Sequence, residues 1–356
     1  MPPRVTIREI AAKAGLHFTT VSLALRNSPR LPKETRERVR EIARKMGYRP
    51  DPMLAALNAY RVSKGTPHYQ ATIAWINNWP ERHQLLAIEV FREYYEGACE
   101  RANQLGYTVE EFWLNEPGMT VAKLQRILKA RNIQGMLLAP QPMPGVDPGI
   151  DFRDLSAVTF GYSMQPSVLN VVTNHQFHSI NLTFERLHEL GYRRIGLIAT
   201  PEWDSKMGNS ILASTLLFKW KHPSLMIVGT LLNKSDSLLD PDGLIRRHGL
   251  DAVIGWSALA ADLRKLGYSI PRDLGFASLT LGKDETRLSG IYQNDLLIGK
   301  KAVDVLVGML QRGERGIPET PVSTLVEGEW RHGTTLRKMN PAKGAKTAAR
   351  NTVGQK

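Results

Sequence analysis

The sequence predicts an all-α helix-turn-helix head joined to an α/β body of two lobes. Three observations carry this reading. Charge is partitioned: residues 1–66 hold 14 Lys/Arg against 5 Asp/Glu, residues 67–336 hold 27 against 29, and residues 337–356 hold 6 against none. The first 50 residues place apolar side chains at helical spacing, broken by glycines. Beyond residue 70, apolar runs of strand length alternate with amphipathic helical stretches, and the series runs twice.

The bulk composition sets outer limits. With 356 residues and 42% apolar content the chain is an ordinary globular sequence of two or three domains. No stretch approaches the ~20 apolar residues of a membrane span, and the first residues lack the apolar core of a signal peptide. The single cysteine, Cys99, permits no internal disulfide. A cytoplasmic protein with no membrane contact is expected.

In the head, Thr6 and Glu9 fit a capping box, a hydroxyl followed three residues later by a carboxylate. The first helix then runs from Ile7 to about Ala14, with Ile7, Ile10, Ala11 and Ala14 on one face. Gly15 ends it, because glycine tolerates a left-handed turn. Leu16 packs inward. A second helix spans about Phe18 to Arg26 with Val21 and Leu25 facing the core. A third starts near Pro32 and Lys33, turns Val39, Ile42, Ala43 and Met46 inward, and ends at Gly47. Two helices joined by a short glycine turn and followed by a third form a helix-turn-helix unit, whose second helix enters the DNA major groove. Its outward face is Phe18, Thr19, Ser22 and Leu23, with Arg26 and Asn27 at its end. The basic residues around it are the electrostatic footprint of a nucleic-acid module.

These head residues resemble the lactose-repressor (LacI) family of bacterial regulators. The matching pieces are Val5-Thr6-Ile7, Ile10-Ala11, Ala14-Gly15, Thr20-Val21-Ser22, Thr35-Arg36, and Gly47-Tyr48 before Pro50. The resemblance implies DNA contacts at Thr6, Phe18, Thr19, Thr20, Ser22, Leu23, Arg26, Asn27 and Tyr48. His17 departs from the usual Ser or Thr cap. Leu23 stands where many members have a base-reading Arg, and leucine can meet only a thymine methyl. Residues 51–66 become a hinge helix and linker that folds when two subunits pair over DNA. Leu54 and Leu57 contact DNA there, Leu57 as a minor-groove wedge.

In the body, strands are read at 71–77, 108–114, 134–140 and 157–163, with helices at 84–107 and 120–132 between them. The second series sets helices at 179–192, 210–221, 242–249 and 258–268 among strands at 194–200, 224–232, 252–256 and 275–281. Such alternation implies parallel sheets, with ligand clefts where strand ends face a gap. The body also resembles the LacI family and the periplasmic sugar-binding fold it shares, more weakly. Gly97, Gly106-Tyr107, residues 185–192 before Arg194-Ile195, residues 271–276, the helix at 297–313 and the closing strands through Glu327 carry the likeness. It implies two Rossmann-like lobes, periplasmic binding protein-like. The N-lobe then holds about 67–164 and 294–324, and the C-lobe about 165–293 and 325–336. Residues 337–356 form a disordered basic tail.

The departures fall where the family holds its ligand. His175, Asn209, Trp256-Ser257 and Thr280-Leu281 replace the charged residues that fork onto sugar hydroxyls. The expected contacts become Asn77, Asn78, Trp79, His175, Trp203, Asn209, Trp256 and Gln293. His175 and His178 have a spacing that could share a metal. No cysteine or acidic third ligand lies nearby in sequence, so neither metal nor cofactor is expected. No phosphate loop, dinucleotide fingerprint or nucleophile elbow occurs, so no enzyme is expected. The expectation is a homodimeric transcription regulator, a repressor, on pseudo-palindromic double-stranded DNA, with a small carbohydrate-related effector in the cleft. Two alternatives stay open: a cleft that no longer binds ligand, and a periplasmic-type solute-binding protein.

Overall fold

A computed structural model describes residues 5–25, 31–48, 71–232 and 240–339. The hinge residues 51–66 and the tail from 340 onward lie outside the described residues.

The head is three helices, α1 (Ile7–Ala14), α2 (Phe18–Leu25) and α3 (Lys33–Lys45). The capping box at α1 is formed in both directions: Glu9 N–H donates to Thr6 Oγ1 at 3.3 Å, and Thr6 N–H donates to Glu9 Oε2 at 2.6 Å. Gly15 closes α1 in the left-handed region at φ 65°. Ile10, Ala11, Val21, Ala24, Val39 and Ala43 form the buried centre, one set from each helix.

The body is two six-stranded sheets. The N-lobe contains β1 (Ala71–Asn77), α4 (Gln84–Ala87), α5 (Glu89–Gln104), β2 (Tyr107–Trp113), α6 (Val121–Ala130), β3 (Gly135–Leu138), β4 (Ser156–Phe160) and β5 (Asn170–Asn174). The chain then builds the C-lobe with α7 (Gln176–Glu189), β6 (Arg194–Leu197), α8 (Pro201–Lys206), α9 (Ser210–Lys221) and β7 (Met226–Gly229). It continues with α10 (Pro241–His248), β8 (Ala252–Gly255), α11 (Leu259–Lys265), β9 (Gly275–Leu281) and β10 (Ser289–Tyr292). Helix α12 (Asp295–Arg312) and β11 (Ser323–Val326) return to the N-lobe, and β12 (Glu329–Arg331) closes the C-lobe.

The strand orders are β11-β5-β4-β3-β1-β2 and β12-β10-β9-β8-β6-β7. Every pairing is parallel except β10 with β12. Each sheet is covered on both faces, so its central strands are buried throughout and read as continuous apolar runs. Helices α5 and α12 pack backbone to backbone on the N-lobe sheet. A Cβ on Gly97 would sit 2.1 Å from the carbonyl oxygen of Leu296, and one on Gly299 2.1 Å from that of Tyr94.

Four expectations are corrected. The lobe boundary at 164/165 moves to 174/175, because β5 pairs with β4 and β11 in the N-lobe sheet. The boundary at 324/325 moves past Val326, whose strand keeps its register with β5 to Asn174. The helix expected at 84–107 is two helices, because Ile88 is extended at φ −81°, ψ 116°. The tail does not begin at 337: Arg337 N–H donates to the Tyr192 hydroxyl at 3.1 Å, and Met339 N–H to the Leu190 carbonyl at 2.8 Å.

Candidate functional site

The head presents one face of α2. The His17 carbonyl accepts from Thr20 N–H at 3.0 Å and Val21 N–H at 3.2 Å, so His17 opens the helix with its backbone. Its ring meets the Thr19 hydroxyl at 2.8 Å and lies 4.4 Å from the Phe18 ring, instead of capping as Ser or Thr would. Phe18 is 46% exposed, unusual for a residue of its size. Thr19 is exposed, and Thr20, Ser22 and Leu23 are half-buried on the same short helix. Tyr48 is half-buried and packs against the head's core cluster, so its ring supports the domain. Arg38 reaches the last turn of α1 and donates to the Ala14 carbonyl at 3.4 Å. Arg26, Asn27, Leu54 and Leu57 lie outside the described residues.

The second site is a cleft of about 580 Å³ between the lobes, where the C-terminal ends of the parallel strands face each other. From the N-lobe come Ile88, Val90, Phe91 and Tyr94, then Pro140, Pro142, Phe160, Gly161, Ser163 and Thr173. From the C-lobe come Gln176, Thr200, Glu202, Trp203, Lys206 and Met207, then Trp256, Thr280 and Gln293. The walls are aromatic and aliphatic. Tyr94 stacks on Phe160 at 5.2 Å, and Trp203 meets Trp256 edge-on at 6.1 Å.

Local sequence positions these groups. Thr200 caps α8, accepting from Trp203 N–H at 2.9 Å, and Pro201 follows at the first helical position. Asp204, buried on the same helix, accepts from Ile211 N–H at 2.8 Å and Leu212 N–H at 3.3 Å, holding α9 against α8. Burial raises the Asp204 carboxyl above its ordinary range, and those two amides pull it back. Lys206 projects across the cleft and donates to the Pro142 carbonyl of the N-lobe at 3.2 Å. Its ammonium lies 5.5 Å from the Trp79 ring and 5.8 Å from the Phe91 ring. Burial pushes its pKa down to about 8.

Of the eight expected ligand residues, Trp203, Trp256 and Gln293 line the cleft and the other five do not. Asn77 is fully buried and spent on the loop after β1, donating to Glu111 at 2.9 Å and the Arg82 carbonyl at 3.0 Å. Asn78 donates to Gln141 at 2.9 Å. Trp79 donates to the Pro140 carbonyl at 2.8 Å and sits behind Lys206 and Phe91, one layer back. Asn209 takes φ 59° at the α8–α9 turn. His175 turns to Glu327, its Nδ1 2.8 Å from one carboxylate oxygen, while His178 Nδ1 is 2.7 Å from the other. The acidic partner missing from the local sequence is thus supplied by the crossover from β11 to β12. The three ligand atoms lie within 4.8 Å of one another, the donor types of a zinc site, and the carboxylate already serves both rings.

Sequence reasoning missed Phe91, Tyr94, Phe160, Gln176 and Lys206. The available signal was position: residues 160–163 and 200–206 directly follow parallel strands.

Residues 6–51 match the model of "Bacterial regulatory proteins, lacI family". The HTH-type transcriptional repressor CytR of Escherichia coli (strain K12) is 28% identical over 211 residues, covering 55% of this chain and 54% of that protein. The head of the chain is thus similar to the DNA-binding part of the lacI family. The aligned part spans about half the length of the curated relatives it matches. Among solved structures, the lac repressor dimer bound to operator and the anti-inducer ONPF superposes with a TM-score of 0.54 at 18% identity. It covers 94% of this chain and 99% of that one. The transcriptional regulator CelR–cellobiose complex gives 0.54 at 19%, covering 93% and 100%. At such identities the likeness is one of fold: the body has two α/β lobes, periplasmic binding protein-like in architecture. Among the described residues no helix is long and apolar enough to cross a membrane.

Proposed function

We propose that this chain is a homodimeric DNA-binding transcription regulator of the lacI family, a repressor, whose inter-lobe cleft binds a small effector. The observation that carries the reading is the head: a family-matched three-helix unit with a net charge of +9 over residues 1–66 and an exposed Phe18–Thr19 tip on its second helix. Phe18, Thr19, Ser22 and Leu23 read base edges, and Thr6, Thr20 and Tyr48 position the head on the backbone. Arg26, Asn27, Leu54 and Leu57 complete the interface, Leu57 as a wedge that kinks the operator. Effector binding shifts lobe closure, and with it the spacing of the two heads. That coupling requires different effector affinities in the two states.

Selection of bound sequences from a random double-stranded pool, using the full chain, tests this. A two-fold symmetric consensus bound by two copies is expected. Failure to enrich any sequence would overturn it.

A further inference from the structure

The lining of the cleft is poorly matched to a sugar. A sugar brings a hydroxyl at almost every carbon, and each needs a partner when buried. The walls instead offer Phe91, Tyr94, Phe160, Trp203, Met207 and Trp256, and the lining surface is mostly apolar, although the Glu202 carboxylate and the Gln176 and Gln293 amides are among its polar residues. Two of those polar groups are incomplete.

The first is Lys206. Its partners among the described residues are one carbonyl and two ring faces; no carboxylate pairs with it. A partly buried ammonium without a counter-charge is costly, and a ligand anion relieves that cost.

The second is Gln176, more than nine-tenths buried in the lining, with Oε1 lacking any hydrogen-bond partner among the described residues. Its orientation is fixed by its neighbours. The Leu279 carbonyl can only accept, so Gln293 presents Nε2 to it, at 2.8 Å. Gln293 Oε1 then faces Gln176, which must offer Nε2, at 3.2 Å. The remaining atom, Gln176 Oε1, is an acceptor awaiting a donor.

We propose that the effector is an aromatic monocarboxylate carrying a hydroxyl. Its ring lies between the aromatic walls, its carboxylate on Lys206, and its hydroxyl donates to Gln176 Oε1. The inference rests on the cleft being the effector site. A cleft of about 580 Å³ suits a molecule of one or two rings. The carboxylate neutralises Lys206, which bridges the two lobes through the Pro142 carbonyl, so occupancy bears directly on closure.

The test is calorimetric titration of the full chain with 4-hydroxybenzoate and 4-hydroxycinnamate, with benzoate, with 4-hydroxybenzamide, and with cellobiose and glucose. The hydroxy acids should bind. Replacing carboxylate by amide, or Lys206 by Met, should weaken binding at least ~10-fold, as expected for a charge-assisted contact. Gln176→Leu should weaken the hydroxy acids and leave benzoate unchanged. The amide comparison needs no variant, so a misfolded Lys206→Met leaves the question decidable. Sugars binding more tightly than acids, with no response to Lys206→Met, would overturn the proposal and leave the effector reading intact. No heat from either class, on protein that still selects its DNA site, would overturn both.

Discussion

The side-chain amide of Asn174 donates to the backbone carbonyl of Gln293 at 3.3 Å, joining the first crossover between the lobes to the second. The same Nδ2 donates to the Val326 carbonyl of the third crossover at 3.0 Å, and Oδ1 accepts from the Ser179 hydroxyl at 2.8 Å. This one buried amide thus ties all three crossovers between the lobes together. Asn174→Leu should cost about 2–3 kcal/mol, because it strands the Gln293 carbonyl and the buried Ser179 hydroxyl, while the Val326 carbonyl keeps the His175 N–H at 2.7 Å. Urea denaturation measures this; a loss below ~0.5 kcal/mol would mean that the tie is redundant.

Asp295 gives a pH signature. It is fully buried, and neither carboxylate oxygen has a hydrogen-bond partner among the described residues. Burial first, then the negative charges of Glu93 and Glu89, hold its carboxyl well above the ordinary value of 3.8. With the folded-state pKa raised, the stability is fully present below the unfolded value and is lost as pH rises toward the folded one. Asp295→Asn removes that loss. The melting temperature of the variant relative to the parent should therefore rise from pH 4 to pH 8. A difference independent of pH would show that the carboxyl does not titrate this way.

The contact between α5 and α12 tolerates no side chain. Gly299→Ala would place a methyl against the Tyr94 carbonyl, a backbone atom that cannot swing away. A loss of about 2–3 kcal/mol, or more, is expected from overpacking. Because Tyr94 lines the cleft, effector affinity should fall with it. Denaturation and titration of the same variant check both.

At the head, Phe18→Ala should weaken operator binding by about 1–3 kcal/mol while leaving random DNA unaffected, the pattern of an apolar base contact. Equal losses on both would assign Phe18 to the stability of the head.

Legibility differed by region for physical reasons. The head was readable because its signals are local: the capping box, the Gly15 turn and the core spacing all lie within a few residues of what they control. The two series of strands and helices were equally plain. The lobe boundary was misplaced because β5 is a five-residue strand, NVVTN, with polar residues at both ends. The cleft was least legible. Its residues are brought together by topology: Gln176 and Gln293 are 117 positions apart, and Glu327 lies 152 from His175. Asn77 is consumed by its own loop and by Glu111, and the Trp79 indole by the Pro140 carbonyl after β3.

DNA binding through the basic head is tested most directly by salt. Affinity of the full chain for its selected site should fall linearly in log–log form, by on the order of 10³-fold between about 50 and 200 mM salt, as phosphate contacts release counterions. An affinity unchanged across that range would contradict a head built to bind DNA.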